Sequence, residues 1–278
     1  MKKFRLLRMV VFSILLMVPA LGNTQPQNEM IQNLEHGYIN WTTGIVQAKG
    51  IGAPPDNSRA ARPMAIQAAK LVAYRNLLEL IKALRIDSTT TVENFIIKSD
   101  VITSRVEGII QNAQVLKTDY MSDGTVEVVV QMDIRGGFSQ LVLPPEIQQV
   151  ESITPIPQDQ MDPAPGVYTG LIVDGRGLKV KPAMSPRIFD ENGQEVYGSA
   201  FVSREFAVQQ GMSGYAKDIR QAAKNDRVTD RPLIVKGLKT SGPGSSDIVI
   251  SNSDAGAIRS ASENLSFLKQ CRVMIVVD

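Results

Sequence analysis

Apolar and polar residues fall into two regularly patterned stretches separated by a proline-rich one. In the first stretch Val126, Val128, Val130, Met132 and Ile134 alternate with Glu127, Gln131 and Asp133. A period of two marks a strand with one buried face. Asp123-Gly124 precedes it and is a tight-turn signal, so residues 113–120 and 124–134 are expected to form a hairpin. Upstream, residues 38–49 are rich in Trp, Thr, Ile and Val and predict a first strand, which Gly50-Ile51-Gly52 interrupts. Residues 58–84 predict a long helix. Met64, Ala68, Leu71, Tyr74, Leu78 and Ile81 recur at spacings of three and four and define its expected core face. Ser58 is the expected N-cap, and Pro63 is confined to the first turn because it lacks an amide proton. A second helix is expected over part of 94–110. Residues 23–37 are polar and are expected to be a flexible N-terminus.

Residues 143–166 contain Pro144, Pro145, Pro155, Pro157, Pro163 and Pro165 and predict a semi-rigid linker. Beyond it, strands are expected over 168–173, 233–238, 247–251 and 273–277. The last is continuously apolar, as in a strand covered on both faces. Residues 187–197 predict a hairpin turning at Asn192-Gly193, and 215–224 a short helix. A longer helix is expected from an N-cap at Ser253 to Leu268, with Ala257, Ile258, Ala261, Leu265 and Leu268 on one face. The expected fold is α+β: two small α/β-sandwich-type domains, 38–142 and 167–278. Each has an antiparallel or mixed sheet with helices packed on one face.

Charge enters through the first 22 residues. Lys2, Lys3, Arg5 and Arg8 precede an apolar run from Met9 to Leu21, and Ala20 and Gly22 supply small residues for a cut. This is the pattern of a secretory signal peptide, too short to span a bilayer as a helix. It predicts export across the inner membrane to the periplasm. Four of the 30 basic residues and none of the 28 acidic ones lie in 1–22, so its removal moves the formal balance from +2 to −2. A mature chain of that charge, without clustered Lys and Arg, is not expected to bind nucleic acid. No later run is apolar enough for a transmembrane span.

Candidate chemistry is sparse. One cysteine, Cys271, and one histidine, His36, exclude an intramolecular disulfide, a cysteine zinc cluster and a His-rich metal site. Gly211-Met212-Ser213-Gly214 departs from the Gly-x-Ser-x-Gly nucleophile pattern and reads as a turn. Asp174-Gly175-Arg176-Gly177 reads as a turn rather than an anion cradle. Asp190 and Glu191 flank a hairpin turn, where local hydrogen bonding favours them. Glu205 and Asp218 form an acid/base pair only if the fold joins them. Cys271 precedes an apolar run and reads as a small buried hydrophobe. No catalytic, metal or cofactor-binding residue is assigned, and no cofactor is expected.

The first unit carries a resemblance. Gly44, Ala48 and Gly50-Ile51-Gly52 are followed by Arg59-Ala60-Ala61-Arg62, the alanine-rich 65–69, Ala73-Tyr74-Arg75-Asn76-Leu77-Leu78-Glu79 and Ile81. Over about 38–135 this order resembles the twenty-kilodalton membrane-associated lipoprotein family and the N-terminal domain of the flagellar assembly protein T. The resemblance implies a small α/β domain of bacterial envelope proteins, noncatalytic and outer-membrane associated, sometimes assembled into rings or discs around the flagellar motor. The chain lacks the lipobox cysteine of an anchored lipoprotein. The expected role is that of a noncatalytic envelope structural or assembly protein that associates with itself or with envelope proteins. The alternative is a periplasmic ligand-binding module using the cleft between the domains. Arg59, Arg62, Arg75 and Glu79 are the candidate interaction residues, set against a plainer reading as the solvated face of the long helix.

Overall fold

A computed structural model describes residues 29–56, 61–147, 168–260 and 262–278. The expected signal peptide, the N-cap Ser58, the candidate Arg59, Ala261 and most of the proline-rich segment lie outside the described residues.

The first unit runs β1 (Ile31–Leu34), β2 (Gly37–Asn40), β3 (Ile45–Gly52), α1 (Ala61–Ala83), α2 (Val92–Ile96), α3 (Asp100–Gln111), β4 (Gln114–Tyr120), β5 (Val126–Asp133) and α4 (Gly137–Val142). Its strands form an antiparallel sheet in the order β1-β2-β3-β5-β4. The expected strand over 38–49 is instead a hairpin, β2-β3, turning at Gly44 with φ +76°. The expected flexible N-terminus supplies β1, whose pairing with β2 satisfies its backbone and whose Leu34 packs against the core.

Helix α1 lies on the face of the sheet that carries Val126, Val128 and Val130, all buried. Its buried stripe is Ala61, Ala65, Ala69, Ala73, Leu77, Leu80 and Ile81. The expected core face was centred elsewhere: Met64 is 56% exposed and Leu71 73%. The cause lies across the interface. A Cβ on Gly50 would stand 2.2 Å from Ala73 N and 2.3 Å from Ala69 O, and one on Gly52 2.1 Å from Ala65 O. Glycine on the strand and alanine on the helix let the two backbones meet, so over the first half of α1 the alanines face inward and Met64 and Leu71 outward. Asn76 closes the contact by donating to Lys49 O at 2.7 Å.

The second unit contains β6 (Gly170–Asp174), β7 (Ile188–Phe189), β8 (Glu195–Tyr197), α5 (Arg204–Gln210), β9 (Gly214–Ala216), α6 (Ile219–Ala223), β10 (Pro232–Ser241), β11 (Asp247–Ile250), α7 (Asn252–Arg259), α8 (Ser262–Lys269) and β12 (Val273–Val276). Its mixed sheet has the order β8-β7-β11-β10-β6-β12-β9, with β6 between parallel β10 and β12. The central strands are covered twice. Leu171, Val173, Val273 and Ile275 pack with Phe267 and Leu268 of α8 on one face. Ile172, Met274 and Val276 pack with Ala222 of α6 on the other. Helices on one face therefore describe too little of this sheet, while the double cover expected for its last strand is present.

Two helix expectations change. Tyr215 belongs to strand β9, parallel to β12, and the helix begins at Ile219 behind Asp218, which accepts from Arg220 N and Gln221 N. The helix expected from Ser253 is two helices, and the first is capped by Ser251. The whole is an α+β fold with one antiparallel and one mixed sheet.

Candidate interaction surface

The two units meet directly. The turn between β2 and β3 presents Trp41, whose indole meets the Tyr215 ring edge-on at 5.8 Å between centroids. Thr42 Oγ1 donates to Tyr215 O at 2.7 Å. Met184 N and Ser185 N donate to Arg85 O and Ile86 O at 3.0 and 2.7 Å. Arg187 reaches Ser88 Oγ at 3.0 Å while pairing at 2.7 Å with Asp247, which is 1% exposed. Arg204 donates to Pro144 O and Gln140 O, both at 2.9 Å. Leu143 and Ile147 are buried, so the segment expected to be linker begins as packed chain. A small cavity of about 40 Å³ remains at the junction, lined by Trp41, Arg135, Ser213, Tyr215 and Arg227 among others. It is large enough to hold water.

The chemical candidates have local duties. Glu205 opens α5, and Asp218 caps α6. Arg176 forks onto Asp174 at 2.8 and 2.9 Å, and the Asp278 carboxylate accepts from Gly177 N at 2.9 Å. Neighbouring carboxylates thus occupy this turn's donors. Burial tends to raise the pKa of Asp190, yet Arg259 and the amides of Gln194 and Asn192 outweigh it and hold the carboxyl below its ordinary value. Burial pushes the Cys271 thiol up to about 12. His36 is exposed beside Glu35, in the turn between β1 and β2.

The candidate interaction residues separate. The Arg62 guanidinium lies 4.1 Å from the centroid of the Tyr120 ring, tying the start of α1 to the end of β4 by a cation–π contact. Glu79 accepts from Lys82 Nζ at 3.1 Å. Arg75 is exposed, on the outward side of α1 that also carries Met64 and Leu71.

Sequence reasoning missed β4 as an edge. Among the described residues it pairs only with β5, and Val115, Leu116, Tyr120 and the following Met121 are exposed. Its one sequence signal is the adjacent pair Val115-Leu116, which breaks the alternation; a register shift falls there, between Val115 and Lys117. A broad groove of about 900 Å³ opens between α3, α4 and the sheet, lined by Arg105, Gln114, Gln131, Asp133 and Gln140 among others. Gln47, Gln131 and Gln114 form a hydrogen-bonded ladder on this sheet, at 3.1 and 3.3 Å.

Residues 170–278, less than half of the chain, match the family model described as the second domain of Treponema pallidum Tp0624. No curated protein matches the chain.

Proposed function

We propose that this chain is a noncatalytic structural or assembly component of the bacterial cell envelope. It is exported to the periplasm, lies peripheral to the outer membrane, and works by contact with envelope proteins or with copies of itself, as in an assembly around the flagellar motor. The observation that carries the reading is the apolar surface of the first unit. Met64 and Leu71 on α1, and Val115, Leu116, Tyr120 and Met121 along β4, are exposed together on one small domain. Val115, Leu116, Tyr120 and Met121 fall within seven residues of one edge strand and its turn, and exposed apolar groups so close together mark contact surfaces. The signal-peptide pattern and the resemblance of the first unit support the compartment. The match of residues 170–278 to a numbered domain of another protein supports a modular build. The test is cross-linking in intact cells. Discrete cross-linked species that are lost in the double variant Met64→Glu with Leu71→Glu, itself still folded by circular dichroism, support the reading. A chain that forms no cross-link to itself or to any envelope protein overturns it.

One observation favours a second reading, a ligand-binding module at the cleft between the units. The junction cavity is lined by Arg135 and Arg227; Arg135 pairs with Asp133 at 3.0 Å and Arg227 donates to the carbonyls of Gly211 and Cys271, so a small anion would bind there by competing with partners already in place. An anion at about a hundred times its dissociation constant would stabilise the fold by about 2.7 kcal/mol. A flat thermal-shift screen across small carboxylates and phosphate ends this reading.

A further inference from the structure

We propose that β4 is the edge through which a second copy of this chain pairs, antiparallel, about a twofold axis at Thr118. The proposal rests on the self-association part of the reading above and names its surface.

The backbone sets which positions can pair. Met121 N donates to Thr125 O across the hairpin, and β4 faces β5 with Asp119 opposite Glu127 and Lys117 opposite Val129. Amides of an antiparallel strand point alternately to its two neighbours. The amides of Asp119 and Lys117 therefore point toward β5, and those of Thr118 and Tyr120 toward the open side. A twofold axis at Thr118 makes that residue and its symmetry mate a hydrogen-bonded pair.

Charge then selects the register. Centred on Thr118, Lys117 stands opposite the partner's Asp119, and symmetry repeats the pair. Leu116 stands opposite the partner's Tyr120, and Val115 opposite the partner's Met121. Centred one residue earlier, two lysines oppose each other; one residue later, two aspartates do. Like charges directly opposite destabilise a ladder, while opposite charges and apolar pairs each contribute about 0.2–1 kcal/mol. Within one copy Lys117 Nζ already lies 2.7 Å from Asp119, so both side chains share one face and are placed to exchange partners.

An edge lysine and a bulge are devices that keep sheets apart. Here the lysine is followed two residues later by its own counter-charge, so the edge repels foreign strands and admits one with the same sequence. Space permits the contact. The second unit docks at the end of the sheet that carries Trp41 and Thr42. Tyr120 is level with Val126, at the other end of β5. The twofold axis thus sends the two second units in opposite directions.

The test uses the full mature chain. Light scattering over a concentration series should show a dimer. Lys117→Asp or Asp119→Lys alone should weaken it at least tenfold, and the two together should restore it, with circular dichroism and melting temperature reporting that each variant is folded. Thr118→Cys should form an intermolecular disulfide on oxidation, because hydrogen-bonded antiparallel pairs hold their Cα atoms about 5.5 Å apart. Asp119→Cys, offset in register, should not. A dimer indifferent to charge reversal at 117 and 119 overturns this proposal and leaves the assembly reading standing, as does a monomer that still cross-links to envelope proteins in cells. A monomer without such cross-links overturns both.

Discussion

Trp41 and Tyr215 meet edge to face, their centroids 5.8 Å apart and their planes at 70°, and this contact joins the two units. Both rings are buried, and each has a polar anchor in its own unit. Trp41 Nε1 donates to Gln32 Oε1 at 3.0 Å, and Tyr215 Oη donates to Ala183 O at 2.8 Å. Trp41 is the chain's one tryptophan, so its emission reports on the junction. Trp41→Ala should cost about 3–5 kcal/mol, as truncations of buried large aromatics do. It should also split the calorimetric transition, because the units lose a shared contact. Tyr215→Phe keeps the ring and loses the hydroxyl's bonds, and should cost about 1–3 kcal/mol with a single transition retained. Equal effects from the two variants would show that the ring contact does not couple the units.

The glycines under α1 make the sharpest packing prediction. A methyl on Gly50 would meet backbone atoms of Ala69 and Ala73, which cannot rotate away as a side chain tip can. Gly50→Ala should therefore cost about 3 kcal/mol, at the upper end of overpacking. Gly108→Ala, with nothing within 4 Å of its added Cβ and a position in α3, should stabilise by about 0.5–1 kcal/mol through helix propensity. Chemical denaturation of the two variants checks both signs.

That seam also shows where sequence pattern stopped being informative. The alternation from Val126 to Met132 reports a strand's buried face directly, because both the pattern and the burial belong to one strand. The existence of α1 was equally legible. Its inward face was not, since the choice between the Met64–Leu71 side and the alanine side is made by Gly50 and Gly52 on another element. Tyr215 likewise joins a strand because β12, far along the chain, offers it a parallel partner. β4 was legible as a strand, whereas its place at the sheet's edge follows from the order β3-β5-β4, which no local pattern encodes. The contact of Arg62 with Tyr120 is of the same kind: both residues were visible, and only the fold brings them together.

Asp190 gives the pH prediction. It is 2% exposed, accepts from Asn192 N and Gln194 N at 3.0 and 2.9 Å, and pairs with Arg259 at 2.9 Å. Burial alone would raise its pKa; the guanidinium and the two amides leave it lowered. The folded chain therefore binds this proton less readily than the unfolded chain, whose aspartates titrate near about 3.9. The stabilisation is complete above that value and is lost as pH falls through the lower folded value. Asp190→Asn should melt earlier than the native chain at pH 7, and the gap should close over the acid window below about pH 4 in which Asp190 takes up its proton. A gap that stays constant across that window would assign the effect to packing rather than to the charge.

Cys271 combines two features that set its chemistry. It is buried at the end of α8 with φ +54°, where Cys271 N donates to Leu268 O and Arg272 N to Phe267 O, the closing pattern of a helix that ends in a left-handed residue. Burial raises its thiol to about 12, so almost no thiolate exists at pH 8. The native thiol should resist alkylation at pH 8 and label only as fast as the protein unfolds, with one equivalent released in denaturant. Rapid stoichiometric labelling of the folded chain would refute that. The backbone adds a second arm. Glycine adopts the left-handed region without the penalty of roughly 1 kcal/mol that a Cβ incurs there. Cys271→Gly should therefore recover much of what it loses by removing a small buried side chain, and remain within about 1 kcal/mol of the native stability. Cys271→Val, isosteric in bulk but branched at Cβ, should cost about 2 kcal/mol or more, because a β-branched residue at positive φ is an outlier. Equal stability of the glycine and valine variants would mean that packing around Sγ, and not the backbone, decides this position.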